Sequence, residues 1–176
     1  NRREVALSQS EEYCEYWRKY FEADAVSDLP DWTKSENSQS CSLSLSSNEC
    51  LGLLTWAARY SVSVKTVFLS LWIKALWRDA ISSRYAKCVG VVFNNRKLLA
   101  ENSERAVGMF WTQLPVFVKN NSCEFGNMVS DLQATLDQHE LNSVIDEELI
   151  NAYIKPHLQY PCSFNSVSYT HLRAHE

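Results

Sequence analysis

Glycine is scarce in this sequence: Gly52, Gly90, Gly108 and Gly126 are the whole complement, against an average usage of about 7%. They stand too far apart to build a glycine-rich phosphate loop, which excludes nucleotide-binding folds of the P-loop and Rossmann types. Long apolar runs are missing as well. The longest, around Val89–Phe93, falls far short of the roughly 20 residues that a membrane-spanning helix needs. Basic residues are not in excess, because 17 Lys and Arg against 21 Asp and Glu give a net charge of −4. With no basic stripe either, nucleic acid is not an expected partner. The six cysteines, at positions 14, 41, 50, 88, 123 and 162, contain no Cys-x-x-Cys pair, so a zinc site of that pattern is absent. The chain opens Asn1-Arg2-Arg3-Glu4, without the apolar core of a signal peptide. An even cysteine count admits disulfides, but reduced thiols in a cytoplasmic protein are the expectation.

What is present is enough apolar material to fold. The 176 residues are 45% hydrophobic and 22% charged, a composition unlike that of a disordered tail. A chain of this length buries roughly 70% of its unfolded surface, and one domain is expected. The stretch Val167–Glu176, Val-Ser-Tyr-Thr-His-Leu-Arg-Ala-His-Glu, stands apart. It resembles the conceptual translation of a transposase-type sequencing adapter and is set aside before fold reasoning, as a tag would be. The metal-ligand reading of His171 and His175 is set aside with it. The expected boundaries are 1–166 for a partial domain truncated at both ends and 167–176 for the adapter-derived tail.

Along the remainder, helices and extended segments alternate. Tyr13, Tyr16, Trp17, Tyr20 and Phe21 follow the spacing of one helical face, with Ser8 or Ser10 available as a cap. Asp28–Gln39 reads as a loop. Cys41–Leu45 alternates in polarity like a short strand. Ser46 and Glu49 fit a capping box, opening a helix to about Tyr60. A second helix is expected from Ser63 to near Ile81, deeply packed, with Thr66, Ser70, Lys74 and Arg78 as a narrow wet stripe. Cys88–Phe93 reads as a strand buried on both faces. Arg105–Gly108 is a short turn or helical piece. Met109–Val118 is extended, with Leu114, Val116 and Val118 on one face and Pro115 marking an edge or a bulge. Ser122 opens a helix carrying Phe125, Met128, Val129, Leu132 and Leu136. Asn142 or Ser143 caps a further short helix through Ile150, and Tyr160–Ser166 begins another extended segment.

Chemistry alone shows no catalytic constellation. Outside the tail the histidines are His139 and His157, and neither has a partner at a dyad or metal spacing. His139 lies near a helix end, where a cation meets the dipole favourably, and is read as structural. Asp146-Glu147-Glu148 reads as a solvated helix start. Trp17, Trp72 and Trp77 sit on apolar faces and read as core.

Four stretches, in order, carry a resemblance. Glu15-Tyr16-Trp17-Arg18-Lys19-Tyr20-Phe21 is similar to a Y-W-R helix of the condensation domains of nonribosomal peptide synthetases. Ser63–Trp77 resembles that family's buried helix T-x-x-x-x-L-x-A-x-W-A-L-L-L. Val89–Arg96 is similar to its strand ending in V-x-G-R. Val107-Gly108-Met109-Phe110-Trp111-Thr112-Gln113-Leu114-Pro115-Val116 resembles V-G-x-F-x-N-T-L-P. His139 then stands where the weaker H-Q-D-x-P-F-E motif is expected. There are departures: Asn95 replaces the Gly of V-x-G-R, Thr112-Gln113 replaces Asn-Thr, and Phe117 replaces an Arg often found there. His139-Glu140-Leu141-Asn142 keeps little beyond the His, and the H-H-x-x-x-D-G signature is absent.

The resemblance implies an α/β fold: much of the second of two chloramphenicol-acetyltransferase-like lobes, an incomplete mixed sheet packed with helices. It implies an acyltransferase that forms amide bonds between aminoacyl or peptidyl thioesters, carried on phosphopantetheine by carrier protein domains. Neighbouring synthetase modules are the other implied partners. The second His of the missing signature assists attack of the amine, so this chain alone is expected to be inactive. Arg96, Thr112 and Gln113 are its candidate tunnel residues; Arg96 also fits an ion pair between lobes, and Thr112 a pairing within a strand. Two alternatives stay open: a stand-alone acyltransferase of this fold that makes esters, and a non-catalytic relative that recruits a partner.

Overall fold

A computed structural model of the chain describes residues 10–22, 40–76, 87–96, 107, 110–118, 124–144 and 162–166. The first helix, α1, spans Glu11–Glu22. Ser10 starts it: its carbonyl accepts from Cys14 N (3.1 Å) and its hydroxyl lies 3.5 Å from Tyr13 N. Helix α2 spans Ser47–Arg59 and has the expected capping box. Ser46 N–H donates to Glu49 Oε2 (2.8 Å) while Glu49 N–H donates to Ser46 Oγ (3.4 Å), which satisfies two otherwise orphaned groups. Helix α3 spans Val64–Leu76. Strand β1, Lys87–Asn94, and strand β2, Trp111–Val118, form an antiparallel ladder with Val91 opposite Leu114. Helix α4 runs Phe125–Leu141, and β3, Ser163–Phe164, pairs parallel to β1 at Gly90 and Val91. The sheet order is β2-β1-β3, mixed as expected.

Strand alternation divides this sheet into two faces. Val89, Val91 and Phe93 of β1 and Leu114, Val116 and Val118 of β2 share one face. They are buried with Trp17 of α1, Leu69 and Ile73 of α3, and Leu132 and Leu136 of α4. Cys88 and Gly90 on the other face are buried too, so β1 is covered on both faces, as its continuous apolar run requires. A second cluster, Ala57, Val67 and Val129, ties α2 to α3 and α4.

Two expectations are corrected. Cys41–Leu45 is not a strand. No described strand lies beside it to supply a ladder, and Leu43 is 86% exposed. The wet stripe expected on α3 is only partly wet: Val67, Leu69 and Ile73 are buried and Lys74 is exposed as read, but two of the polar positions are not in water. Thr66 and Ser70 are fully buried, while Phe68 and Leu71 are 39% and 46% exposed. The supposed wet stripe is in fact the face that meets α4. Gln133 Oε1 accepts from Ser63 N–H (2.8 Å) and from the Thr66 hydroxyl. Ser70 Oγ donates to Thr66 O (2.8 Å), and Lys74 Nζ lies over the Phe125 ring. Hydroxyls that bond within their own helix or to one facing glutamine can be buried without penalty.

Other expectations hold with shifted ends or fall outside the described residues. Asn142 closes α4, its Nδ2 donating to Gln138 O (2.9 Å). The loop at 28–39, residues 77–81, the turn at 105–108 apart from Val107, Ser122, the helix through 145–150 and the tail 167–176 lie outside the described residues.

The two helical glycines should respond oppositely to alanine. Gly52 has nothing within 4 Å of where a Cβ would stand, whereas at Gly126 that atom would lie 2.7 Å from the Tyr60 ring. Gly52→Ala should stabilise by about 0.5–1 kcal/mol, the helix-propensity gain, and Gly126→Ala should lose that gain to displacement of Tyr60. Urea denaturation of both variants checks the difference.

Candidate functional site

The motif residues converge on the outer edge of β2. In β1 the Gly90 N–H donates to the O of Cys162, the residue before β3, so the odd-numbered groups of β1 bond to β2. Within β2 it follows that Pro115 and Phe117 point away from β1. Pro115 has no N–H to leave unpaired there, which is why a proline is tolerated. Its carbonyl accepts a hydrogen bond from His139 Nε2 (3.0 Å), and Phe117 N–H donates to the Tyr20 hydroxyl oxygen (2.7 Å). A carbonyl partner requires the hydrogen on Nε2, which fixes the tautomer. Nδ1 is then an acceptor, and the Tyr16 hydroxyl donates to it at 2.7 Å. The result is a continuous chain from Tyr16 O–H through His139 to the Pro115 carbonyl.

Aromatic rings enclose this chain. Tyr16, Trp17 and Tyr20 all meet the His139 imidazole edge to face, at centroid distances of 5.9, 4.7 and 4.5 Å. Trp17 is fully buried, and its indole N–H donates to Asn142 O (2.9 Å) just beyond α4. His139 is fully buried. Burial holds its pKa down to about 4, against the smaller opposing pull of the Pro115 and Thr135 backbone carbonyls, which favour the charged form. Burial likewise pushes Tyr16 up to about 12. The reading of His139 as a cation at a helix end is therefore corrected. It is structural, but neutral, because an imidazolium would be desolvated and would lose its Nδ1 acceptor.

The remaining motif residues scatter. Arg18 is exposed on α1 and Val107 is fully exposed, while Leu114 and Pro115 are buried; Gly108 lies outside the described residues. Arg96 is half-buried with its guanidinium 4.5 Å over the Phe110 ring, a stacked cation. Thr112 and Gln113 are both half-buried. As strand neighbours they face opposite sides of the sheet, so they do not line one surface together. Asn95, where the resembling motif has Gly, is buried. Its Nδ2 donates to Ser143 O (3.1 Å) and its Oδ1 has no hydrogen-bond partner.

Sequence reasoning missed three polar residues. Tyr20 was counted as apolar, yet its hydroxyl seals β2. Gln133 is a lone amide facing two hydroxyl residues of α3. Lys65 donates to Val92 O (3.1 Å), one of the β1 carbonyls directed to the β3 side, beyond the end of β3. Its position at the start of α3 gave no signal. Among the described residues no group of His, Cys, Asp or Glu could hold a metal ion, and no described helix is long and apolar enough to cross a membrane. The described cysteines, 14, 41, 50, 88 and 162, are free thiols. His157 and Asp146-Glu147-Glu148 lie outside the described residues.

Tyr16→Phe should leave His139 Nδ1 buried without a donor and cost about 1–3 kcal/mol. His139 also sets a pH window. Its folded pKa, about 4, lies below the ordinary 6.5, so the unfolded chain binds the proton first as pH falls. Stability is intact above pH 6.5 and declines down to about pH 4, by about 3 kcal/mol from this residue. Urea midpoints measured from pH 7.5 to 4 should show this slope in the wild type and lose it in His139→Gln.

These motifs can be set against known proteins. The family model for the condensation domain matches residues 2–159. A search of curated proteins gives no significant match. Among solved structures, the first condensation domain of the CDA synthetase superposes with a TM-score of 0.65 at 17% sequence identity. That superposition covers 94% of this chain and 36% of the other, so the chain spans about a third of that structure's length. At this identity the likeness establishes the fold, the chloramphenicol-acetyltransferase-like architecture expected above. Three separate motifs, the tyrosine–tryptophan helix, the Leu-Pro strand and the histidine of α4, are thus joined by hydrogen bonds inside a chain that belongs to the condensation-domain family.

Proposed function

We propose that this chain serves as part of the second lobe of a condensation domain in nonribosomal peptide synthesis. The match of residues 2–159 to the family carries the reading. The reaction joins two acyl groups carried as phosphopantetheine thioesters by carrier protein domains. An amine nitrogen attacks the thioester carbonyl, the new C–N bond forms, the C–S bond breaks, and the thiol leaves with the proton removed from nitrogen. A histidine of the H-H-x-x-x-D-G signature, which this sequence does not contain, would take up that proton near neutral pH.

The contribution of this chain is support and shape. His139 cannot substitute as a general base. Both of its ring nitrogens are engaged, its proton affinity is depressed, and it is shut away from solvent. A base must reach the proton it removes. The sheet held by that histidine is instead suited to form a wall, with Arg96 over Phe110 at one end of the β1–β2 ladder.

Incubated alone with aminoacyl- and peptidyl-loaded carrier proteins, the pure chain should yield no amide product above a heat-treated control. Turnover by the chain itself would overturn this division of labour.

A further inference from the structure

We propose that Lys65 is a stop that keeps Asn165 and Ser166 from joining the sheet as an extension of β3. The ladder itself fixes what the next rung would be. Gly90 N–H donates to the O of Cys162 (3.1 Å), and Gly90 and Val91 stand opposite Ser163 and Phe164. Bonds in a parallel pair are evenly spaced. The Gly90 carbonyl therefore accepts from Phe164 N–H, and Val92 N–H donates to the Phe164 carbonyl. The next rung would join Ser166 N–H to the Val92 carbonyl, and the one after it Asn94 N–H to the Ser166 carbonyl. Strand β1 runs on to Asn94, so its half of both rungs is already extended. Strand β3 nevertheless stops at Phe164. At the first missing rung the acceptor is taken, because Lys65 Nζ donates to Val92 O (3.1 Å).

The Lys65 side chain also lies where the incoming residue would stand. By alternation Ser166 would come beside Phe93, on the face that packs against the helices. The Lys65 ammonium lies over the Phe93 ring there, 4.8 Å from its centroid. One cation thus holds both the backbone acceptor and the ring that a longer β3 would cover, and the two arrangements exclude each other. Lysine at a sheet margin is a common guard against further pairing. Here the strand held off is the chain's own. Asn165 and Ser166 are exposed and uncharged. They border an open groove of about 560 Å³ with Phe68, Trp72, Ser163 and Phe164, which leaves room beside β3 for the two residues to move onto β1. Phe164, whose ring meets Trp72 at 5.8 Å, anchors the strand up to that point.

Amide hydrogen exchange of the 176-residue chain, read by NMR at Ser166 and Asn94, tests this. Lys65→Met keeps the stem and removes the donor. It should slow exchange at both amides about fivefold or more, the effect of one or two net hydrogen bonds, and Lys65→Ala should do the same. Adding Ser166→Pro to Lys65→Met removes the N–H that makes the rung and should return Asn94 to its wild-type rate. Near-UV circular dichroism of the Trp17 cluster reports that each variant is folded. Unchanged exchange at Ser166 in both folded Lys65 variants overturns the proposal, as does an Asn94 amide that stays slow when Ser166 is proline. Slowing that grows with protein concentration overturns it too, because the strand added to β1 would then come from a second copy.

Discussion

The outer edge of β2 is the constraint around which the structure is arranged. A strand at the margin of a sheet presents unpaired backbone groups, and an unprotected margin invites pairing with another chain. Here three devices act on adjacent outward positions. Proline removes one donor, the Tyr20 hydroxyl accepts from the next, and His139 donates to the proline carbonyl. The histidine works only if it is neutral and in one tautomer: burial keeps it neutral, the Pro115 carbonyl requires the hydrogen on Nε2, and the Tyr16 hydroxyl then donates to Nδ1. Removing Tyr16 or His139 leaves the other with a polar group unpaired in a buried site, so these two and the Pro115 carbonyl act as one unit rather than as separate contacts.

That unit determines where the rest can go. With α1 and α4 fixed against β2, the apolar face of the sheet is closed by Trp17, Leu132 and Leu136, and α3 completes the cover with Leu69 and Ile73. Lys65 complements this from α3. It takes the Val92 carbonyl on the β3 side, and burial lowers its proton affinity, partly offset by Glu140. Among the described residues, side chains thus hold the sheet at both sides.

Much of this was legible in the sequence, for identifiable reasons. The aromatic spacing of α1, the capping box at Ser46 and the unbroken apolar run of β1 depend on local periodicity, and all three held. Pro115 announced an edge or a bulge, because a residue without an N–H cannot sit in a ladder between two strands, and the structure has the edge. What local patterns could not convey was partnership across the fold. Thr66 and Ser70 read as wet because nothing nearby in sequence shows Gln133 waiting 67 residues away to bond Thr66. His139 read as a cation because helix position is local, whereas its burial and its two hydrogen bonds come from distant segments. Cys41–Leu45 had the alternation of a strand but no neighbour. For the site, the motif placed Thr112 and Gln113 together, and only the register with Phe93 and Val92 separates them.

The links that anchor α1 also carry a consequence for synthesis. Tyr16 and His139 are 123 residues apart, and Trp17 and Asn142 are 125 apart. Translation proceeds at about 5–20 residues per second, so α1 leaves the ribosome roughly 6–25 seconds before its last partners exist. During that interval Trp17, Tyr20 and Phe21 have no β2 or α4 to cover them, and a helix of this length is marginal by itself. A helix whose hydrogen-bond partners lie at the far end of the chain thus has to be kept from misassociation for most of the time the chain is being made.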